Sequence, residues 1–124
     1  MVEVFLARRI MNRMNIDGTY EIIEMSEWDK EDIDLVELGY IRIKGNRGAL
    51  HFICVDGDMD IRKSKSGSYK FSWEGNDECD PASGFGEFTC DGDTLTGRIY
   101  IHDGDDSSFV AKKTSRINTN VTAT

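Results

Sequence analysis

An all-β domain is the fold class this sequence predicts: an eight-stranded antiparallel up-and-down barrel with a short helical lid. Three observations carry that expectation. From Gly18 onward the chain reads as short apolar runs cut by turn signals at 45–48, 56–58, 64–67, 91–93 and 103–105, each rich in Gly, Asn, Asp or Ser. Two longer acidic segments, 26–37 and 76–83, raise the connections to seven. Seven short connections between eight strands describe a meander that can close on itself. Several of the runs also alternate apolar and polar residues with the period of two that a half-buried strand requires.

The first strand, 18–25, sets Tyr20 and Ile22 on one face and Glu21 and Ile23 on the other. The second, 40–44, alternates Ile41 and Ile43 inward with Arg42 and Lys44 outward. The third, 49–55, is apolar on both faces, with Leu50, Phe52 and Cys54 against Ile53 and Val55. Such a strand is expected to be covered on both sides, by the N-terminal segment or by a partner. The fourth, 59–63, turns Met59 and Ile61 inward. The fifth, 68–74, opposes Tyr69, Phe71 and Trp73 to Lys70, Ser72 and Glu74.

In the sixth strand, 84–90, Gly84 and Gly86 share a face with Phe88. Glycines opposite bulky aromatics suit a tightly curved barrel, where they relieve crowding. The seventh, 95–102, points Leu95, Gly97, Ile99 and Ile101 inward and Arg98, Tyr100 and His102 outward. The eighth, 107–113, buries Phe109 and Ala111. These inward sets are large for so small a barrel, so the interior is expected to be filled rather than a ligand cup. In the first connection, Ser26 is a candidate N-cap with Asp29 at the capping-box position. One or two helical turns there would make a lid, with Trp28, Ile33 and Leu35 facing inward.

The domain is expected to run over 14–113, between an N-terminal extension, 1–13, and a disordered tail, 114–124. The extension places Arg8, Arg9 and Arg13 after its apolar part and carries Glu3, which does not fit a signal peptide. A short basic amphipathic helix and a start at Met14 both fit it. No run approaches transmembrane length. With 124 residues the chain can build a core without metal or disulfide staples. Its net charge of -8 argues against nucleic-acid binding, which needs clustered Lys and Arg. Cys54, Cys79 and Cys90 are odd in number and fit neither a disulfide framework nor a zinc motif. They read as reduced thiols of a cytoplasmic protein. Cys54 and Cys90 are expected as core filler, whereas Cys79, between Glu78 and Asp80, sits where a thiolate is disfavoured.

Parity gives the barrel an acidic end. In a meander the odd connections share one end, and here they carry Glu27, Asp29, Glu31, Asp32, Asp34, Glu37, Asp56, Asp58, Asp77, Glu78, Asp80, Asp103, Asp105 and Asp106. Lys30 is the cation among them. Such a field draws cations or a basic surface. Turn chemistry also favours Asp, which explains Asp56-Gly57-Asp58 fully but Asp77-Glu78-Cys79-Asp80 poorly, since Glu is not a turn residue. The segments 74–80 and 102–107 would be neighbours, offering carboxylates, an imidazole and an amide of the kind that Ca²⁺, Mg²⁺ or Mn²⁺ accept. Neither matches an EF-hand loop, and no metal ligand set is assigned. For catalysis, Glu74 and Asp77 are a candidate carboxylate pair and His102 a candidate base oriented by Asp103 or Asp106. Alternation places His102 outside the barrel, and His51 reads as structural. Tyr40, His51, Tyr100 and His102, all outward, together with the doubly apolar third strand, make a homodimer interface a further reading.

Residues 18–113 resemble an uncharacterised family of small bacterial proteins. The matching residues are Trp28-Asp29, Asp34-Leu35, Phe52-Ile53, Val55-Asp56-Gly57, Phe71-Ser72-Trp73-Glu74-Gly75, Asp77-Glu78, Asp80, Ser83-Gly84, Gly86, His102 and Gly104-Asp105-Asp106-Ser107. The resemblance implies no activity. At fold level, Gly18-Thr19-Tyr20 is similar to the Gly-x-Trp that opens lipocalin-like barrels, with Tyr in place of Trp. Lys112 stands where a basic residue covers that position.

The function these readings favour is non-catalytic binding through the acidic end, to a basic protein surface or a divalent cation. Trp28, Asp29, Glu74, Asp77, Glu78, Asp80, His102, Asp105 and Asp106 are the candidate binding residues, with no cofactor, nucleic acid or membrane expected. The alternatives are a small carboxylate and histidine hydrolase and a lipocalin-like binder of small ligands.

Overall fold

The structure, a computed structural model, describes residues 16–115. The expectations for 1–13, for a start at Met14 and for the tail beyond 115 lie outside the described residues. The strands are β1 (Gly18–Met25), β2 (Tyr40–Lys44), β3 (Arg47–Phe52), β4 (Val55–Lys63), β5 (Tyr69–Asp77), β6 (Asp80–Asp91), β7 (Thr94–Ile101) and β8 (Asp106–Lys113). Each pairs antiparallel with the next, and β8 returns to β1, so the sheet closes into an up-and-down barrel. One helical turn, α1 (Lys30–Ile33), lies in the β1–β2 connection. Among the described residues no helix is long and apolar enough to cross a membrane.

Side chains fill the barrel. Tyr20, Phe52, Met59, Phe71, Trp73, Phe88 and Phe109 are all buried within one apolar cluster. Rings of this size fit a small barrel only where facing positions are empty. Trp73 stands between Gly57 and Gly84, and a Cβ on either glycine would come within 2.7 and 2.8 Å of its indole. Phe71 covers Gly86 in the same way, and at Gly97 the Glu87 carbonyl and the Cα and Cβ of Phe88 leave no room for a side chain. These pairings follow directly from cross-strand register: Trp73 opposes Gly84, Phe71 opposes Gly86 and Phe88 opposes Gly97. Below Gly18, the side chain of Lys113, not Lys112, closes over the Tyr20 ring at 5.6 Å. Tyr20 opposes Lys113 across the β1–β8 seam, while Lys112 alternates to the outside.

Two connections differ from the sequence expectation. Asp56-Gly57-Asp58 is not a turn but part of β4, and the chain reverses instead at Ile53-Cys54. Ile53 adopts a left-handed conformation there, with φ 57°. Val55, Gly57, Met59 and Ile61 form one uninterrupted inward row, in which Gly57 makes room for Trp73. The glycine thus serves packing, not reversal. For the same reason β3 is not apolar on both faces, since Ile53 and Cys54 have left the strand. Likewise 76–83 is no loop: β5 and β6 continue as a hairpin to a two-residue turn at Glu78-Cys79, with Glu78 at φ 57°.

The lid is shorter than expected and is capped differently. Asp29 occupies the N-cap position without a side-chain bond, while the Ser26 hydroxyl accepts from the backbone N–H of Ser108. Ile33 is fully buried and its carbonyl accepts from the Ile53 N–H at 2.8 Å, tying α1 to the β3–β4 turn. Trp28 lies against Phe52, their ring centroids 5.6 Å apart. Leu35, expected inward, is 63 % exposed. Lys30 anchors the turn by donating to the Ile22 carbonyl at 2.9 Å while pairing with Glu21 and Asp34 at 2.9 and 2.6 Å.

Candidate functional site

Strand alternation writes the outer wall as rows of side chains that cross the sheet. One row runs Asp58, Glu74, Ser83 over β4, β5 and β6. The next runs Asp60, Ser72, Phe85, Tyr100, Asp106 from β4 to β8. Neighbours in a row stand about 5 Å apart, close enough for their side chains to touch. Between and beside these rows lies an open groove of about 840 Å³, walled by Asp58, Asp60, Ser72, Glu74, Ser83, Phe85, Tyr100, His102 and Asp103, with Arg47 at its β3 edge opposite Asp60. Its existence follows from residue size, because Ser72 and Ser83 are short among larger neighbours.

Phe85 is the apolar feature of the groove. The inward glycines Gly84 and Gly86 turn it outward, and 60 % of it is exposed. Its ring stacks on that of Tyr100, with centroids 4.6 Å apart and planes 17° from parallel. On the other side of Tyr100 the Arg98 guanidinium lies 6.0 Å from the ring centroid. Asp106 holds that guanidinium at 2.6 Å and raises its pKa through the bond. From below, the Trp73 indole N–H donates to the Tyr100 carbonyl at 3.2 Å. The aromatic pair is therefore fixed on one flank and beneath, and open on the other flank.

The residues expected to form one acidic site divide between several places. Glu74 and His102 both line the groove. The backbone N–H of His102 donates to the Ser83 carbonyl at 2.7 Å, joining the β7–β8 turn to β6, and its Nε2 is 3.4 Å from Asp103. Asp77, Glu78 and Asp80 sit farther out, at the hairpin tip, where the Glu78 N–H donates to the Cys54 carbonyl at 3.0 Å. Asp77 lies three residues beyond Glu74 in an unbroken strand and so faces the opposite side, which separates the proposed carboxylate pair. Asp106 is engaged with Arg98, and Asp105 is exposed in the β7–β8 turn. Asp29 caps α1, and Trp28 packs on the core instead of presenting a binding face.

Among the described residues, neither Asp58 nor Glu74 forms a direct ion pair, and Arg47 is the arginine that shares the groove with them. Asp60 meets Arg62 at a long 3.4 Å. Among the described residues, no group of three or more His, Cys, Asp or Glu side chains is arranged to hold a metal ion. His51 is outward by alternation yet only 2 % exposed, its Nδ1 2.8 Å from Asp56 and its ring stacked on Tyr40. The Cys54 thiol is pushed up by partial burial and by Glu78, Asp77 and Asp56, which leaves it a poor nucleophile.

Sequence reasoning missed Phe85, Ser72 and Asp60. The signal was Gly84-Phe85-Gly86, since two inward glycines oblige the ring between them to face solvent. Comparison with family models, with curated proteins and with solved structures finds no match to this chain.

Proposed function

We propose that this protein is a non-catalytic binding module that holds a basic segment of another protein in the groove on its outer wall. The observation that carries the reading is an exposed aromatic pair in a groove where carboxylates outnumber cations and where Asp58 and Glu74 form no direct ion pair among the described residues. Aromatic rings at the centre of a polar rim are the usual anchors of protein interfaces. A net charge of -8 supports a basic partner and opposes a second copy of the same chain. The packed interior supports a surface site over a ligand inside the barrel. The absence of a ligand cluster among the described residues favours a basic protein over a divalent cation. Glu74 and Asp77 on opposite faces do not support a hydrolytic pair. The three unpaired cysteines support a reducing compartment such as the cytoplasm.

The test is fluorescence anisotropy with a labelled lysine- and arginine-rich peptide and an acidic control, across ionic strength. The basic peptide binds and weakens as salt rises, and combining Asp58→Asn, Asp60→Asn and Glu74→Gln costs about tenfold in affinity. Equal affinity for the triple variant would contradict the reading.

A further inference from the structure

We propose that the groove seats an aromatic side chain of the partner over Ser72, against the open face of Phe85, with a cation of the partner two residues away over Asp58 and Glu74. The inference rests on the basic-segment reading above and names the sequence pattern that the groove selects.

The row Asp60, Ser72, Phe85, Tyr100 forms the seat. Tyr100 covers one face of the Phe85 ring, and the cross-strand neighbour on the other side is Ser72, exposed and short. Ser72 is therefore a low saddle beside an exposed ring. The 840 Å³ groove and a second one of about 410 Å³ meet there, and both are walled by Asp60, Ser72 and Phe85. Charge at the saddle is already balanced. Asp60 meets Arg62 and stands opposite Arg47, and Lys70 stands opposite Glu87. An incoming ion would lose water there without finding an unmatched partner. An uncharged ring instead gains stacking area on Phe85.

The charges on either side of the row fix what flanks that ring. Two residues along the strands toward the β5–β6 turn, the outward positions are Asp58 and Glu74. Neither forms a direct ion pair among the described residues, and the β3 neighbour of Asp58 is Ala49, not a cation. Two residues the other way the outward positions are Arg62 and Lys70. In an extended chain, same-face positions lie about 7 Å apart, which is also the spacing of these rows. A partner segment lying extended along β5 thus sets a ring over Ser72 and, two positions on, a cation over Asp58 and Glu74. On the other side of the ring a cation would meet Arg62 and Lys70. One position from the ring it would point away from the wall.

The experiment titrates the isotopically labelled full chain with end-capped pentapeptides at low ionic strength and takes affinities from amide shifts. FSKSK and KSKSF hold ring and cations in phase for the two possible chain directions. The tighter of the two binds about three- to tenfold more strongly than its out-of-phase isomer, FKSKS or SKSKF, and than its counterpart with alanine for phenylalanine. Ser72→Gln, which fills the saddle without changing charge, and Phe85→Ala, which removes its wall, each bring the preferred peptide down to the alanine level and leave the alanine peptide unchanged. Thermal melts of both variants show that the fold is retained. Equal affinity for the ring and alanine peptides, equal affinity for the two isomers, or a ring preference that survives in either variant overturns the inference and leaves the basic-segment reading standing. Binding of none of the peptides overturns both.

Discussion

Replacing Trp73 by Phe tests whether the aromatic platform depends on what lies beneath it. The indole is only 2 % exposed, and three contributions are lost with it. Its N–H bond to the Tyr100 carbonyl is worth about 1 kcal/mol. The smaller ring leaves a space of about 40 Å³, worth about 1 kcal/mol at the usual cost per unit of cavity volume. The apolar surface no longer buried adds roughly 0.5–1 kcal/mol. The sum is about 2.5–3 kcal/mol, or roughly 10–20 °C in the melting temperature of a domain this size. Urea unfolding followed by Trp28 fluorescence measures it, because Trp28 packs on Phe52 in the lid and remains as the reporter. The variant should also lose part of its peptide affinity, since Tyr100 and Phe85 stack above the lost bond. A cost below about 1 kcal/mol would refute the reasoning, because neither the bond nor the fit between Gly57 and Gly84 would then contribute as described.

Other perturbations have equally definite outcomes. Burial, reinforced by Cys90, Asp93 and Asp17, pushes the Tyr20 phenol well above its usual range, so the folded state keeps a proton that the unfolded chain gives up. Stability from Tyr20 is therefore complete below about pH 10 and falls as pH rises beyond it, by up to about 1.4 kcal/mol per unit. Denaturant midpoints measured up the alkaline limb check this, and Tyr20→Phe should flatten the fall. Gly84→Ala drives a Cβ into the Tyr100 backbone and the Trp73 indole, so the variant should unfold at a markedly lower urea concentration, by about 3 kcal/mol or more. Lys30→Met removes the cation shared by Glu21, Asp34 and the Ile22 carbonyl; its partial exposure limits the expected loss to about 1–2 kcal/mol by thermal melt.

The architecture was legible in the sequence because it depends on alternation and turn spacing, and both are local. Tyr69, Phe71 and Trp73 announce an inward face, and Gly84 and Gly86 announce what those rings lie against. Asp56-Gly57-Asp58 misled because the same tripeptide suits a turn and a strand. Only the fit of Gly57 under Trp73, a contact between strands, separates the two. The lengthening of the β5–β6 hairpin was hidden for a related reason: Gly75 and Asn76 read as turn residues, yet they pair with Ala82 and Pro81. The acidic end was legible as composition but not as a site. Which carboxylates share a groove depends on register across strands, so Glu74 joins Asp58 and His102 while Asp77 turns away. Phe85 is not legible as a site residue from sequence because a lone outward aromatic is ordinary, and only the cross-strand stack on Tyr100 distinguishes it.

The most direct test of the central claim is a titration of the isotopically labelled protein with a basic peptide, followed by amide chemical shifts. Binding in the groove gives shifts gathered at Asp58, Asp60, Ser72, Glu74, Phe85, Tyr100 and His102 that collapse when salt is added. Shifts confined to α1 and to the hairpin tip at Glu78 and Asp80, or none at all, would contradict it.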